Sequence, residues 1–452
     1  MKIAILGFGL QGQAALNYWG KPENDLTVFD LNAVDVPAGT KTVFGSDYLN
    51  NLHEYDLIVR SPGIHPQNIL DNNTDHPEVM DKVTTVTNEF FRVCPAPIIA
   101  VTGTKGKGTT SSLIAKILES AGHRVHLGGN IGTPPLDLLK NDIKNTDWVV
   151  LELANFQTID LKFSPHIAVC LMVTAEHLDW HHDMYEYIRA KEQLFAHQTP
   201  QNIAIYNSRS TYSEEIADSS KAHKLSYEVP EVDEEPIETN GAYVQGKHIF
   251  VEGFKICNIH DVKLLGRHNL QNVCAALIAT WTIVGNNPKV YKQAIKSFTG
   301  LEHRLEILAE INGIKYVNDS FGTTPETAIV AIKSFAQPKI MIVGGSDKGA
   351  NFAELAQTIV SGNVKHLVGI GIMGPKILNT VKAYDAQKKI TMTLLDDNTT
   401  MNQIVDTATK QAVKGDVVLL STACASFGMF ENYKDRGDQF KQVVQALSGA
   451  AK

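Results

Sequence analysis

A glycine-rich loop at residues 103–109 has the residue types and spacing of a phosphate site. An apolar run over residues 97–102 leads into the loop, and a helical pattern follows over residues 111–121. Backbone N–H groups and the helix dipole attract an anion at such a helix start. Lys107 adds a positive charge and Thr109 a hydroxyl that can reach Mg²⁺. The loop departs from the usual spacing, because Gly108 stands where many phosphate loops carry serine or threonine.

A different glycine motif opens the chain. Gly7, Gly9 and Gly12 form a GxGxxG pattern between a strand-like and a helix-like run, and Asp30 ends the next strand-like run. This pattern is typical of dinucleotide binding. The same turn can bind any diphosphate-linked ribonucleotide, and no later residues indicate a nicotinamide site. We therefore favour another nucleotide, such as a UDP-sugar, with NAD and an oxidoreductase as the alternative.

Polar side chains follow two further strand-like runs. Glu152 lies at the end of an apolar run, where an unpaired carboxylate is costly. Because strand ends of a parallel sheet face the phosphate-loop crevice, we predict a Mg²⁺ ligand there, with a buried ion pair as the alternative. His177 also follows a strand-like run, and His181 lies four residues further on. Zinc is disfavoured because HExxH is absent and no third ligand is evident.

The elements that position these residues predict an α/β fold in three segments, residues 1–92, 93–298 and 299–452. Continuous aliphatic runs are typical of parallel strands buried on both faces, with helices between them. Residues 212–265 break this rhythm with polar and alternating residues, which predicts a small antiparallel β subdomain inside the second segment. The strand-like runs cover residues 3–6, 26–29, 57–59, 98–102, 148–153, 167–173, 203–206, 340–343, 367–370, 392–395 and 417–420.

Composition narrows the class of protein. The 452 residues are 43% hydrophobic and 20% charged, with a net charge of −8, so nucleic-acid binding is not favoured. No apolar stretch is long enough to span a membrane and no signal-peptide pattern opens the chain, so we expect a cytoplasmic protein without membrane contact. The five cysteines include no CxxC pair, which favours buried free thiols in a reducing compartment.

A series of motifs occurs in order along almost the whole chain. The motifs are Gly103-Thr104-Lys105-Gly106-Lys107, Glu152, His177-Leu178-Asp179, Arg189-Ala190-Lys191, Gly266-Arg267-His268-Asn269-Leu270-Gln271-Asn272, Glu302-His303-Arg304, Tyr316-Val317-Asn318-Asp319-Ser320, Gly344-Gly345-Ser346-Asp347-Lys348-Gly349, Ser421-Thr422-Ala423-Cys424-Ala425-Ser426-Phe427 and Asp435-Arg436-Gly437-Asp438. This series resembles the Mur ligase family of ATP-dependent amide ligases of peptidoglycan synthesis, and the closing motifs resemble the branch of that family that adds D-glutamate.

The resemblance implies three domains: a Rossmann-like UDP-binding domain at residues 1–92, a central phosphate-loop ATPase domain at 93–298 and a Rossmann-like amino-acid domain at 299–452. It also implies the reaction. ATP phosphorylates the carboxylate of UDP-N-acetylmuramoyl-L-alanine, and the amine of D-glutamate attacks the acyl phosphate. We expect a monomer that uses Mg²⁺. L-glutamate or another acidic amino acid is the alternative acceptor.

The resemblance also implies roles for individual residues. Lys107, His177 and Lys191 would be catalytic, and Lys191 would be carbamylated. The two Mg²⁺ ions would be bound by Thr109, Glu152, His177 and Lys191. ATP would contact Gly103, Thr104, Lys105, Gly106, Lys107, Gly108, Thr109, Asn269, Asn272, Arg304 and Asp319. The UDP-substrate would contact Leu10, Gln11, Gly12, Asp30, Gly63 and Asn130, and glutamate would contact Thr323, Lys348, Ser426 and Tyr433.

Several positions depart from the family pattern. Ala154 replaces a serine, Glu176 an aspartate, Phe321 a lysine and Gly428 an aspartate. The changes at Phe321 and Gly428 motivate the alternative acceptor. The glycine after the loop lysine also occurs in folylpolyglutamate synthase, but the first glycine motif disfavours that enzyme. The intact lysines and Glu152 disfavour a catalytically silent UDP-sugar-binding protein.

Overall fold

The computed structural model describes the chain except for Ile131, Asp233, residues 237–239, Leu265, Asp347, Lys348 and residues 451–452. It divides into two compact units, Met1–Phe298 and Thr299–Lys452. In the described residues, no helix combines the length and apolar character that crossing a membrane requires. All five cysteines are free thiols, and only Cys94 is not fully buried.

The first unit begins with a five-stranded parallel sheet of order β3-β2-β1-β4-β5. Its strands are β1 (Lys2–Leu6), β2 (Asp25–Asp30), β3 (Lys41–Phe44), β4 (Leu57–Arg60) and β5 (Val83–Thr84), and its helices are α1 (Leu10–Trp19), α2 (Pro66–Asp71) and α3 (Val86–Val93). Sequence patterns missed β3 because every residue of this edge strand is exposed, and β5 because it has only two residues.

A nine-stranded sheet of order β14-β13-β12-β11-β10-β9-β6-β8-β7 follows. Its strands are β6 (Ile98–Thr102), β7 (Val125–Gly129), β8 (Trp148–Glu152), β9 (Ile167–Cys170), β10 (Ile203–Asn207), β11 (His223–Glu228), β12 (Ala242–Gln245), β13 (His248–Val251) and β14 (Phe254–Asn258). Its helices are α4 (Lys107–Ser120), α5 (Pro135–Leu138), α6 (Asn155–Thr158), α7 (Met184–Ala196), α8 (Thr211–Asp218), α9 (His268–Val284) and α10 (Pro288–Ser297).

The antiparallel strands predicted within residues 212–265 are present inside the second segment. Strand β12 pairs in parallel with β11, and only the β12–β13 and β13–β14 pairs are antiparallel. The three strands therefore extend the main sheet. Tyr227, Val244 and Ile249 belong to the same buried cluster as Leu113 of α4, so one hydrophobic core continues beneath this extension.

The second unit contains a six-stranded sheet of order β15-β16-β20-β17-β18-β19, in which only the β15–β16 pair is antiparallel. Its strands are β15 (Glu306–Ile311), β16 (Ile314–Asn318), β17 (Lys339–Gly344), β18 (Val364–Ile370), β19 (Thr391–Leu394) and β20 (Val417–Leu420), and its helices are α11 (Pro325–Lys333), α12 (Ala353–Ser361), α13 (Gly374–Tyr384), α14 (Met401–Lys410) and α15 (Tyr433–Ala450).

The predicted α/β class is confirmed, and burial explains why the apolar runs form strands. All residues from Ile3 to Leu6 are fully buried, as parallel strands covered on both faces require. Ile3 and Ile5 of the first sheet share a buried cluster with Val149 and Leu151 of the second. Apolar packing therefore holds the first sheet of this unit against the second and fixes the loops that leave β4 and β8.

Candidate active site

The glycine loop between β6 and α4 is shaped by close approaches that only glycine permits. Gly103 has φ +138°, and a Cβ there would lie 2.7 Å from the Leu171 Cβ. Gly106 has φ +92°, and a Cβ would lie 2.2 Å from the Asn272 Oδ1. Helix α4 starts at Lys107 directly after Gly106, four residues earlier than the sequence pattern indicated. The loop thus presents the N-terminus of a long helix, which suits a phosphate group.

Two lysines meet at one carbonyl of this loop. Lys107 Nζ donates to Gly103 O at 3.1 Å and to Thr104 O at 2.9 Å. Lys191 Nζ, from α7, donates to the same Gly103 O at 3.1 Å. Burial, reinforced by the charge of Lys107, lowers the pKa of Lys191 to about 7. A buried amine that is partly neutral near pH 7 therefore lies beside the phosphate loop.

Tyr187 supports this pair of lysines, and sequence analysis missed it. Its hydroxyl lies 3.0 Å from Thr104 Oγ1, and Lys191 Nζ lies 4.3 Å from the centre of its ring. Thr104 Oγ1 also donates to Thr174 O at 3.0 Å. Tyr187 precedes Lys191 by one helical turn, and this spacing is the only sequence signal that could have indicated it.

Glu152 lies at the end of β8, as predicted, next to the end of β7. Its side chain is buried, and its Oε1 accepts a hydrogen bond from Asn130 Nδ2 at 2.9 Å. The backbone N–H of Asn130 donates to Glu152 O at 2.7 Å. No Lys, Arg or His nitrogen of the described residues lies within ion-pair distance of Glu152. The partner of this buried carboxylate is therefore an amide, and the ion-pair alternative loses support.

His177 lies in the loop between β9 and α7. Its backbone is left-handed, with φ +58°, and its carbonyl accepts from Trp180 N at 3.1 Å and His181 N at 3.0 Å. Its exposed ring lies 4.7 Å from the Phe156 ring and its Nε2 3.7 Å from Glu176 Oε2. His177 and His181 do not converge on one point, because His181 is buried and faces Glu186 instead.

Asn269 and Asn272 of α9 adjoin the glycine loop. Asn272 Nδ2 donates to Asn269 Oδ1 at 2.8 Å, and Thr110 Oγ1 donates to Asn272 Oδ1 at 3.3 Å. These contacts join the start of α9 to the start of α4. The two asparagines predicted to contact a nucleotide base therefore lie next to the loop predicted to hold its phosphates.

The residues predicted for the UDP-substrate lie mainly at the strand ends of the first sheet. Gly12 packs so closely that a Cβ would lie 2.0 Å from Gly7 O. Asp30 Oδ2 accepts from Phe8 N at 2.9 Å and thereby holds the glycine turn. Leu10 is exposed, and the buried Gln11 Oε1 has no hydrogen-bond partner in the described structure. Gly63, in the turn after β4, accepts from Trp180 Nε1 at 3.3 Å.

In the second unit, Asp319 follows β16. Its Oδ2 accepts from Ser421 Oγ at 2.7 Å and its Oδ1 from Leu305 N at 3.1 Å. Burial raises the pKa of Asp319 to about 6, although these hydrogen bonds and the charge of Arg304 oppose the shift. The carboxylate oxygens of Asp319 are the acceptors expected of a nucleotide contact, and burial makes the charged form of this carboxylate less favourable.

Phe321 and Tyr433 form an aromatic pair close to Arg304. Their ring centres are 5.2 Å apart, and the Arg304 guanidinium lies 5.6 Å from the Phe321 ring centre. Thr323 lies between β16 and α11, and Ser426 follows β20, the strand adjacent to β16. Parallel neighbours end at the same sheet edge, so these predicted glutamate residues share that edge. Lys348 lies outside the described residues.

Arg436 is a residue of this unit to which sequence analysis gave no role. Its buried guanidinium donates from Nε to Ser320 Oγ at 2.8 Å and from Nη1 to Cys424 O at 3.2 Å. Ser320 Oγ in turn donates to Tyr433 O at 2.8 Å. Burial lowers the pKa of Arg436 to about 10. This side chain therefore ties the loops after β16 and β20 to the start of α15.

The glycine loops and parallel sheets define a nucleotide-binding α/β protein, and comparisons with known proteins identify its family. Residues 101–280 match the Mur ligase middle domain, and residues 303–424 match the Mur ligase glutamate ligase domain. A UDP-N-acetylmuramoylalanine--D-glutamate ligase of Clostridium tetani (strain Massachusetts / E88) is 32% identical over 99% of this chain and 97% of its own length. A protein of the same name from Clostridium botulinum (strain 657 / Type Ba4) shows the same identity and coverage. The chain belongs to the Mur ligase family.

Solved structures support the fold assignment. The UDP-N-acetylmuramate-alanine ligase of Thermotoga maritima matches this chain with a TM-score of 0.59 at 16% identity, and the match covers 99% of each chain. A MurF ligase of Thermotoga maritima in complex with ADP has a TM-score of 0.56 at 17% identity, covering 99% of this chain and 95% of its own. At these identities the likeness concerns the fold alone.

Proposed function

We propose that the chain is an ATP-dependent amide ligase that joins D-glutamate to UDP-N-acetylmuramoyl-L-alanine during peptidoglycan precursor synthesis, as a cytoplasmic monomer. The names of its Clostridium relatives support this substrate pair. The observation that carries the proposal is the convergence of Lys107 and Lys191 on Gly103 O beside the start of α4. Two amines and a helix N-terminus at one loop suit the stabilisation of a transferring phosphoryl group.

In this proposal Lys107 releases its loop carbonyls and binds the γ-phosphate of ATP. The substrate carboxylate attacks that phosphorus, ADP leaves, and an acyl phosphate forms. The amine of D-glutamate then attacks the acyl carbon, loses a proton, and expels phosphate to give the amide. Lys107 stabilises the transition state of phosphoryl transfer, in which negative charge is spread over the γ-phosphate oxygens and the attacking and leaving oxygens. The N-terminus of α4 and the lysine both attract that charge.

A buried carboxylate and a lysine that can form a carbamate supply oxygen ligands that suit divalent cations. Asn130 donates a hydrogen bond to Glu152 Oε1. Glu152 Oε2 and the Thr109 hydroxyl would be the ligands of a first cation. Following the family resemblance, we assign His177, which is exposed, and Lys191, which is buried, to a second cation. Reaction of the neutral Lys191 amine with CO₂ releases a proton and gives a carbamate, an anionic oxygen ligand. Mg²⁺ would supply charge neutralisation of the phosphates.

We propose three functional parts. Residues 1–92 bind the uridine diphosphate through Leu10, Gln11, Gly12, Asp30 and Gly63, and Asn130 contacts the muramoyl part. Residues 93–298 bind ATP, with Asn269 and Asn272 at the adenine. Residues 299–452 bind glutamate through Thr323, Lys348, Ser426 and Tyr433, and in this proposal Arg304 and Asp319 contact ATP. The close packing of α9 against the phosphate loop supports the adenine assignment.

Phosphate release tests this function directly. Purified protein is incubated with ATP, Mg²⁺ and UDP-N-acetylmuramoyl-L-alanine, with D-glutamate or L-glutamate in separate reactions. We expect release with D-glutamate alone. Release with L-glutamate alone would retain the ligase chemistry and assign Phe321 and Gly428 to a changed acceptor pocket. Absence of release with both amino acids would reject the proposed substrates.

A further inference from the structure

Glu186, in the first turn of α7, is at the centre of a partly buried cluster that the reaction described above does not use. Its Oε2 lies 3.0 Å from His181 Nδ1 and accepts from His182 N at 3.0 Å. Its Oε1 lies 3.2 Å from His65 Nε2. His65 is 8% exposed and His181 3% exposed, whereas the Glu186 side chain is 24% exposed, so the two histidines are buried and the carboxylate is partly buried.

The hydrogen bonds of the two histidines argue against a metal site at this cluster. His65 Nδ1 accepts from the backbone N–H of Gln67 at 3.0 Å, so in the neutral ring the proton is on Nε2, facing Glu186. His181 Nε2 lies 2.7 Å from Asn155 Nδ2, an N–H donor, so the neutral ring carries its proton on Nδ1 and again faces Glu186. A metal ion needs nitrogen lone pairs at these positions. The cluster instead presents N–H groups to a carboxylate.

One side of the cluster holds the turn after β4. The Trp180 Nε1 donates to Gly63 O at 3.3 Å, and the Trp180 and His65 ring centres are 4.4 Å apart. His65 also caps the start of α2 through its bond to Gln67 N. Glu186, through His65, is therefore attached to the turn that we propose contacts the UDP-substrate. The contact of His65 Nε2 with Glu186 is close but poorly aligned, because the nitrogen makes no hydrogen bond of good geometry.

The other side of the cluster holds the two residues assigned to the second cation. His177 O accepts from the backbone N–H groups of Trp180 and His181, so the position of His181 fixes the left-handed backbone of His177. The N–H of Glu186 donates to Asp183 Oδ1 at 2.8 Å at the N-cap of α7. That helix carries Lys191, so Glu186 organises both the His177 loop and the start of the Lys191 helix.

We propose that Glu186 is a positioning residue that couples the substrate turn at residues 61–65 to His177 and Lys191. The inference rests on the proposed function. A substrate that orders the turn would stabilise the His65–Glu186 contact, and Glu186 would then hold the His177 loop in the geometry that cation binding needs. Removal of the carboxylate should impair catalysis and cation use more than it impairs binding of either substrate.

Two variants and a matched control test the coupling. Glu186→Gln keeps the shape but turns an N–H group toward one of the three donors. His65→Asn keeps a helix-capping oxygen and removes the contact with Glu186, together with the ring contact to Trp180. The control is Glu214→Gln, the same change at an exposed glutamate in the first turn of α8. For each protein the measurements are kcat, the KM of UDP-N-acetylmuramoyl-L-alanine and of D-glutamate, and the Mg²⁺ concentration that gives half-maximal rate.

We expect Glu186→Gln to lower kcat about tenfold and to raise the half-maximal Mg²⁺ concentration several-fold, with the KM of D-glutamate unchanged. His65→Asn should show a smaller defect of the same kind. The double variant should be no worse than Glu186→Gln alone, because both changes break one connection. Glu214→Gln should match the unmodified protein.

Fully additive effects in the double variant, or a folded Glu186→Gln protein with unchanged kcat and Mg²⁺ dependence, would overturn the coupling. Should Glu186→Gln fail to fold, judged by its thermal unfolding, His65→Asn decides the question. It breaks the contact with Glu186 from the side of the substrate turn, and a kcat and Mg²⁺ dependence equal to the unmodified protein would contradict the proposal. Absence of phosphate release by the unmodified protein would instead reject the proposed function.

Discussion

The first unit contains two strand–glycine–helix loops that differ in charge and in what surrounds them. The loop after β1 is held by a carboxylate, because Asp30 accepts from the N–H of Phe8. The loop after β6 is lined by amines, because Lys107 and Lys191 both donate to Gly103 O. The two loops share a backbone plan, but a carboxylate repels phosphate oxygens whereas a lysine attracts them.

This difference shows that a glycine pattern specifies a turn and that the neighbouring charges specify its ligand. The first loop suits a nucleotide whose hydroxyl groups can donate to Asp30 while its phosphates meet the start of α1. The second loop suits the phosphates at which charge changes during reaction. Substitutions that exchange or remove these charges test the comparison, beginning with the largest expected effect.

Lys107→Ala should reduce turnover about a thousandfold, because phosphoryl transfer loses the cation closest to the start of α4. The KM of UDP-N-acetylmuramoyl-L-alanine should change little, since its proposed contacts lie at the other glycine loop. Initial rates of phosphate release measure both quantities. Lys105→Ala is the comparison variant, because Lys105 lies in the same loop but is exposed; as an ATP contact alone it should lower turnover much less. A Lys107→Ala enzyme with near-normal turnover would remove the phosphate-loop assignment.

Lys191→Ala should lower kcat roughly a hundredfold and should respond to small carboxylates. The space left by the side chain, beside Gly103 O and the Tyr187 ring, can admit formate or acetate, which resembles a carbamate. The measurement is the rate of phosphate release with increasing formate or acetate. Chloride at equal ionic strength is the control. An unaffected Lys191→Ala enzyme would show that this amine has no part in the reaction.

The contrast between the loops was largely predictable, because each loop is local in sequence. Strand-like runs, glycines and the lysine at position 107 lie within a few residues of one another, and Glu152 follows directly from the end of an apolar run. Backbone sterics and the electrostatics of a helix N-terminus act between residues that are close in sequence, so a local sequence pattern predicts their effects.

The features that sequence analysis missed depend on contacts between distant residues. Glu186 meets His65 only because the first sheet packs on the second through a shared apolar cluster. Strands β11 and β12 pair although a polar segment separates them in sequence. The alternation of apolar and polar residues in each strand does not indicate that the two strands belong to one sheet. Such contacts arise from tertiary packing, which overrides local patterns.

Gly12→Ala should destabilise the first unit by about 3 kcal/mol, because its Cβ would lie 2.0 Å from Gly7 O, a backbone atom that cannot move aside freely. Gly9→Ala, at the N-cap of α1, is the matched control. No atom lies within 4 Å of its added Cβ, and the expected loss is at most about 1 kcal/mol. Urea unfolding of both variants measures the difference. Equal losses would show that close packing at Gly12 does not shape the first loop.

Asp30→Asn should raise the KM of UDP-N-acetylmuramoyl-L-alanine about tenfold and leave the KM of ATP unchanged, the smallest of these effects. Asparagine keeps an oxygen for the N–H of Phe8, so the turn persists while the charged acceptor for a substrate hydroxyl is lost. Asp25→Asn, at the opposite end of β2 and paired with Lys41 on the surface, is the control. A parallel rise in both KM values would mean that the two loops do not serve separate nucleotides. A lower KM for the UDP-substrate would mean that Asp30 repels phosphate more than it binds the nucleoside.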